Sequence, residues 1–354
     1  MKHQVIKGRG ATLQIEGRFE SVQRESVDDD WSEPEEALPP SRTTVTAEHA
    51  KSVLQRQKSP DIPYELSLNA YRGCEHGCIY CYARPSHAYL NLSPGLDFET
   101  RLFAKPDAAR LLREELAKPN YQCSPIALGS NTDPYQPIER EWKITRQILE
   151  VLAEHKHPLT IVTKSALVER DLDLLTRLAG DDLVKVYVSV ATLDGELARR
   201  MEPRAASPRR RLQTIAELNG SGVPCGVMAA PVIPFLTDAE LEKILEAAYG
   251  HGARSAGYTL LRLPYELKEL FKDWLVVHYP LKAKHVMGRM REMRGGREYD
   301  PEFGSRFSGK GLLADLLAQR FRKACNRIGF NLEDKPLETR LFVPPSRDGQ
   351  MELF

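Results

Sequence analysis

Between Tyr64 and Pro264 short apolar runs alternate with stretches whose apolar residues recur at helical spacing. The runs Glu65–Tyr71, Pro125–Gly129, Leu159–Thr163, Val184–Val190, Gly226–Ala230 and Ser255–Leu261 predict six strands. Between them, Leu111, Leu112 and Leu116 mark one face of a helix near Pro106–Ala117, and Ile144, Ile148, Val151 and Leu152 mark another. A further helix follows Lys164 and is closed by Gly180; the next opens at Ser207-Pro208, a cap followed by proline in the first turn, and stops at Gly220. Thr237 and Glu240 carry the spacing of a capping box. Regular strand-helix alternation predicts an α/β fold with a parallel sheet, and six units rather than eight predict a partial (β/α)6 TIM barrel.

The flanks lack this rhythm. Residues 1–60 are polar, with Asp28–Asp30, Glu33-Pro34 and Pro39-Pro40, and read as an extended arm whose basic stretch Lys7–Ala11 is expected to be solvated. Residues 61–265 form the barrel. Beyond them, 266–354 read as a helical region, with Leu267, Leu270, Phe271, Trp274 and Leu275 on one face and two basic clusters, Lys282–Arg297 and Arg306–Arg327.

Composition narrows the function classes. The 354 residues are 42% apolar, enough for a sizeable core, and the net charge of +1 gives no global field that would call for nucleic acid or membrane. No run approaches the roughly 18 apolar residues of a membrane span, and Met1-Lys-His-Gln has no signal-peptide character, so a cytoplasmic location is expected. In a reducing cytosol the six cysteines are not read as disulfides.

Three of them lie in Arg72-Gly-Cys-Glu-His-Gly-Cys-Ile-Tyr-Cys-Tyr-Ala83. Cys74, Cys78 and Cys81, spaced C-x3-C-x2-C, supply three thiolates for a 4Fe-4S cluster, which with only three leaves one iron open. A structural zinc site is the alternative, with His76 or His87 as a fourth ligand. Parallel-barrel strands place working groups at their C-terminal ends, so Ser130–Asp133, Lys164 and Ser189 are expected to face the same mouth as the cysteines.

The cysteine loop, with an aromatic residue before its last cysteine, resembles the radical S-adenosylmethionine (SAM) superfamily. Thr132-Asp133, Val162-Thr-Lys164, Ser189 and Glu202-Pro203 make the chain most similar to the spore photoproduct lyase group and its uncharacterised bacterial relatives, from about Asn69 to Pro264. The resemblance implies an open-barrel enzyme whose 4Fe-4S cluster binds SAM at the unique iron. A low-potential donor such as flavodoxin or ferredoxin would supply the electron that cleaves SAM to methionine and a 5'-deoxyadenosyl radical, which abstracts hydrogen from a substrate. Cys74, Cys78 and Cys81 are implied as cluster ligands, and Tyr80, Tyr82, Lys164 and Ser189 as SAM contacts. The loop containing Ser130, Asn131 and Asp133 occupies the place that binds the methionine amino group in many members, and Arg204 is a candidate for its carboxylate. A structural salt bridge is the other reading of Glu202 and Arg204.

One position departs from the lyase pattern. Where the lyases return hydrogen from a cysteine near the end of the second strand, this chain has Ser130, whose O–H bond is too strong for that role. Cys123 and Cys225 precede their strands and fall at the wrong end, and Cys325 lies in the C-terminal helical region. Nucleic acid is the first candidate substrate, with Lys282, Lys284, Arg289, Arg291, Arg294 and Arg297 facing phosphates and Tyr299, Phe303 and Phe307 stacking on bases; a solvated helix face is the alternative for these clusters. A peptide or small metabolite is the second candidate, and a non-catalytic metal-binding or adaptor protein the third reading.

Overall fold

The computed structural model describes residues 6–19, 42–332 and 335–346. The acidic stretch at 28–30 and the prolines at 34, 39 and 40 lie outside these residues. Among the described residues ten strands occur in chain order: β1 (Thr44–Ala47), β2 (Leu54–Arg56), β3 (Leu66–Leu68), β4 (Tyr71–Arg72), β5 (Arg101–Ala104), β6 (Ile126–Leu128), β7 (Leu159–Thr163), β8 (Val184–Ser189), β9 (Cys225–Val232) and β10 (Ser255–Leu260). Six of them, β3, β6, β7, β8, β9 and β10, pair in that order and all in parallel. These are the six strands that the apolar runs predict, and the α/β class with a parallel sheet is observed. β2 adds an antiparallel edge beside β3.

Five of the six parallel strands bury most of their residues, as strands covered by helices do, with Ile126, Leu159, Ile161, Val184, Val186, Val188 and Val227 0% exposed, while the edge strand β10 is half-buried. The covering helices are α1 (Asp97–Thr100), α2 (Ala108–Leu116), α3 (Glu139–Trp142), α4 (Ile144–Glu154), α5 (Leu172–Gly180), α6 (Gly195–Met201), α7 (Pro208–Gly220) and α8 (Leu241–Gly250). The helical C-terminal region follows as α9 (Leu267–His278), α10 (Pro280–Glu292) and α11 (Leu312–Ile328). In α9, Leu267, Leu270, Phe271, Trp274 and Leu275 are all fully buried, and they form a second core with Ile79 and Tyr80 of the cysteine loop. That core ties the C-terminal region to the mouth.

Three expectations need correction. Ser207 caps α7 as predicted, accepting from Arg210 N at 3.3 Å, but Thr237 and Glu240 form no capping box. Thr237 Oγ1 accepts from Ile233 N at 2.9 Å and the Glu240 carboxylate accepts from Thr192 Oγ1 and Leu193 N, so both side chains are engaged elsewhere. The basic stretch Lys7–Ala11 is solvated only at its start: Lys7 is exposed, Gly8 and Arg9 are half-buried, and Gly10 and Ala11 are buried. Finally, the first predicted strand breaks after Leu68: Tyr71 and Arg72 leave the main sheet and pair with β5, which also pairs with β1 in a separate three-stranded sheet. This break turns the chain into the cysteine loop.

Candidate active site

Because the six strands are parallel, their C-terminal ends share one mouth. Cys74, Cys78 and Cys81 follow β3 and β4, Ser130 to Asp133 follow β6, Lys164 follows β7 and Ser189 ends β8. Thr163 is the register partner of Val188, which makes Lys164 and Ser189 neighbours across the sheet. The hollow lined by Lys185, Asn219, Cys225 and Arg254 lies at the opposite ends of β8, β9 and β10, away from this chemistry.

The cysteine loop is held by its backbone. Gly73 and Gly77 have φ of 72° and 67°, the left-handed region that favours glycine, and a Cβ on Gly73 would lie 2.7 Å from Leu102 Cδ2. Cys74 N donates to Phe98 O at 3.0 Å, and Ile79 N donates to Met201 O at 2.9 Å. Arg84 is wholly buried, donating from Nε to Cys78 O at 2.8 Å and from a terminal nitrogen to Gly77 O at 3.0 Å, and it pairs with Glu99 at 2.5 Å. Gln136 donates to Gly73 O and accepts from Glu75 N, closing the loop from the β6 side.

The thiols sit in a setting that disfavours charge until a cation compensates it. Burial, with the negative charge of Asp133 and the neighbouring thiolates, pushes the Cys74 thiol up; burial likewise pushes up Cys78. Two features work the other way: the backbone of Asp133 hydrogen-bonds Cys74, and the Lys164 ammonium and Arg211 guanidinium lie close enough to Cys78 to favour its thiolate. Donors aimed at sulfur, on a loop with three thiols and no fourth, fit a cluster with one open iron. Among the described residues no three His, Cys, Asp or Glu side chains gather as they would around a single ion, which bears equally on zinc and on any other metal at the cysteine loop. Of the two candidate histidines for zinc, His87 is buried edge-on against Phe98 and its Nε2 faces Arg101 O, while His76 lies 3.4 Å from Asp133.

Comparison with known proteins adds the decisive observation: residues 68–248, more than half of the chain, match the model of the family described as the radical SAM superfamily. The chain belongs to the radical SAM superfamily. An uncharacterised protein of Mycobacterium tuberculosis is 38% identical over 68% of this chain and 70% of its own length. An uncharacterised protein of Methanocaldococcus jannaschii is 30% identical over 54% of this chain and 68% of its own. Among solved structures, a spore photoproduct lyase complexed with dinucleoside spore photoproduct aligns over 81% of this chain and 80% of its own, with a TM-score of 0.55 and 16% identity. A lyase variant with bound AdoMet and the same dinucleoside aligns over the same shares at a TM-score of 0.56 and 15% identity. At this identity the likeness concerns the fold.

Within this radical SAM core the remaining side chains divide in two. Lys164 lies with its ammonium 5.8 Å from the Tyr80 ring centre and near Cys78, and Ser189 is buried beside it. Tyr80 is buried and donates its hydroxyl to Glu202, whose other oxygen takes Arg211; both members of that ion pair are 1% exposed. Tyr82 is half-exposed and donates to Ser130 O, while the Arg262 guanidinium lies 5.5 Å from its ring centre. Tyr80, Tyr82, Lys164 and Ser189 are thus brought together around the cysteines.

The β6 loop is different. Asn69 Oδ1 accepts from Asn131 N at 2.9 Å and Thr132 N at 3.2 Å, and its amide donates to Ser130 Oγ. Asp133 accepts from Thr163 Oγ1 at 2.7 Å, Tyr135 N at 2.9 Å and Lys164 N at 2.7 Å. Burial opposes its charge, but His76 beside it and these donors hold its carboxyl down to about 2. Asp133 therefore clamps the β6 and β7 loops together. Arg204, expected at a carboxylate of SAM, is already paired with Glu75 at 2.8 Å, and Glu202 proves to be the buried salt-bridge partner of Arg211. Sequence reasoning missed Arg84, Glu99, Gln136 and Arg211. Arg84 had one available signal, a charged residue three positions after the last cysteine; the others reach the site through tertiary packing.

Proposed function

We propose that this radical SAM protein is an enzyme that holds a 4Fe-4S cluster on Cys74, Cys78 and Cys81 and binds SAM at the barrel mouth beside Lys164, Tyr80, Tyr82 and Ser189. The observation that carries the reading is the placement of the Lys164 ammonium 5.8 Å from the ring centre of Tyr80, within the cysteine loop, at the mouth of the parallel strands. When bound, the cluster and SAM supply, with an electron from a low-potential donor such as flavodoxin or ferredoxin, reductive cleavage of SAM to methionine and a 5'-deoxyadenosyl radical that abstracts hydrogen from a substrate. The protein's own residues prepare that chemistry. Lys164 presents a cation to an anionic group of SAM, Ser189 offers a hydroxyl in a water-poor setting, and the Tyr80 ring forms a wall fixed by Glu202 and Arg211. Asp133 keeps Lys164 in place through its backbone N–H.

Nucleic acid is the substrate class supported first. At the mouth Arg262 lies between the Tyr82 ring and the Phe307 ring, 4.4 Å from the latter's centre, and donates to the Tyr299 hydroxyl at 3.4 Å. Aromatic faces beside a guanidinium suit a base and its phosphate. The fold-sharing lyase binds a dinucleoside photoproduct. Ser130 nevertheless stands where the lyase pattern has a hydrogen-returning cysteine, so the proposed reaction ends differently.

A peptide or small metabolite is the second reading, and a specific observation favours it. Most of the basic clusters are internally neutralised: Arg289 pairs with Glu292, Arg291 with Glu298, Arg306 with Asp61, Lys310 with Glu302, Arg320 with Glu242 and Arg327 with Glu246, while Arg294 is buried against backbone carbonyls. Anaerobic reconstitution should give about four irons per chain, lost when all three loop cysteines become alanine. Deuterated oligodeoxynucleotides, intact or UV-irradiated, should then transfer deuterium into 5'-deoxyadenosine. Transfer from a deuterated peptide or metabolite pool but from no oligonucleotide would select the second reading, and protein with zinc and no iron-sulfur absorbance would sink both.

A further inference from the structure

The sequence predicts a solvated arm at the N-terminus, and the structure shows a built contact with the cysteine loop. Gly10 N and Ala11 N donate to the two carboxylate oxygens of Glu99 at 2.9 and 2.8 Å. Glu99 is fully buried and its carboxylate also faces Arg84, which donates to Gly77 O and Cys78 O of the cysteine loop and to Pro94 O and Gly95 O beyond it. Only two side chains therefore separate the arm's backbone from the backbone of the cysteine loop. The two segments also touch directly: a Cβ built on Gly10 would lie 1.9 Å from Gly77 O, and one on Gly77 would lie 2.7 Å from Glu99 Oε2. Beyond Gly10, Leu13 and Ile15 pack on the apolar cluster that contains Cys78, Ile79 and Tyr80.

The contact continues along the segment. Thr12 Oγ1 donates to Asp273 in α9 at 2.6 Å, Gln14 Oε1 accepts from Leu96 N at 2.9 Å and Ile15 O accepts from Ser93 Oγ at 2.5 Å. Arg18 pairs with Glu266 at 2.9 Å and lies 3.6 Å from the Tyr265 ring centre. A segment without regular secondary structure is thus fastened at both ends and in the middle, with its closest approach at the backbone between the first two cysteines.

We infer that residues 6–19 are a strap over the cysteine loop and that Glu99 is its positioning residue. The strap fixes the loop in one shape in the metal-free protein and closes its outer side to water and dioxygen once a cluster is held. The second half rests on the function proposed above; the first concerns the protein alone. The buried carboxylate is the pivot, because it accepts from the strap's amides and from the arginine that grips the loop, so loosening either partner is felt by the other.

Hydrogen exchange on the full-length, metal-free chain tests the first half, read on the peptide spanning residues 72–84. Gly10→Ala forces strap and loop apart and should raise exchange in that peptide about tenfold, the lower part of what overpacking costs convert to. Gly180→Ala, at a site with no atom within 4 Å, should leave it unchanged. Thr12→Val, which removes only the bond to Asp273, should move the same peptide in the same direction by less, and Glu99→Gln should loosen it at least as much as Gly10→Ala. In air, the reconstituted Gly10→Ala protein should lose its iron-sulfur absorbance several-fold faster than wild type. Equal exchange in wild type, Gly10→Ala and Thr12→Val would overturn the strap, and equal bleaching rates would overturn its sealing role. A wild type that takes up no cluster would count against the proposed function, while the exchange result would still judge the strap.

Discussion

Lys164 carries the largest share of the functional reading borne by one side chain. Its ammonium lies 5.8 Å from the Tyr80 ring centre, while its backbone N–H is held by Asp133. Lys164→Ala should therefore keep the cluster's absorbance and weaken SAM binding about tenfold, the loss of one charge-assisted bond; unchanged affinity in equilibrium dialysis would remove Lys164 from the site. Glu202 plays another part. With Arg211 it forms a pair sealed from solvent, so Glu202→Ala should cost about 3–5 kcal/mol in denaturant unfolding, against about 1 kcal/mol for Tyr80→Phe. The position of Lys164 and Ser189 at the mouth was legible in the sequence because parallel strands put their C-terminal residues at one end. The position of Asp133 at the mouth was legible but its role as a clamp was not, since a chain of letters does not show which loop carboxylates are already satisfied by backbone donors. Arg84 and Glu99 were invisible for a related reason: their meaning lies in a contact between two loops and the N-terminal segment.

Among the elements, the six parallel strands and the covering helices were readable because each has an apolar run or a helical face long enough to show a period. The small sheet of β1, β5 and β4 was not, because strands of two to four residues with mixed exposure carry no period. Caps behave in the same way. Ser207 has a proline after it and an open helix end to serve, whereas Thr237 and Glu240 match a capping pattern but find better partners in the β8 and β9 loops. Ser207→Ala should cost about 1 kcal/mol in thermal or denaturant unfolding. A cost indistinguishable from zero would mean that α7 is held by packing alone.

For the whole molecule, several arginines of the C-terminal basic clusters are paired with carboxylates, and among the described residues no helix is long and apolar enough to cross a membrane. Two interior histidines contribute to the acid sensitivity of the fold. Burial holds the imidazoles of His87 and His157 down to about 4. Their unfolded values lie near 6.5, so below that pH the unfolded chain takes up protons that the folded chain refuses. The stability they protect is complete above about 6.5 and is lost as pH falls toward 4, by up to about tenfold in the folding equilibrium per pH unit for each histidine. Denaturant melts between pH 7 and 4.5 should show this slope, and His87→Phe should flatten it; a flat wild-type profile would contradict the burial argument. The central claim concerns the mouth where strands, cysteine loop and Lys164 meet. Its most direct measurement is 5'-deoxyadenosine released by anaerobically reconstituted protein given SAM and dithionite. Wild type should form it and Cys78→Ala should not; iron-loaded wild type that releases none, or a Cys78→Ala protein that releases as much, would contradict the account.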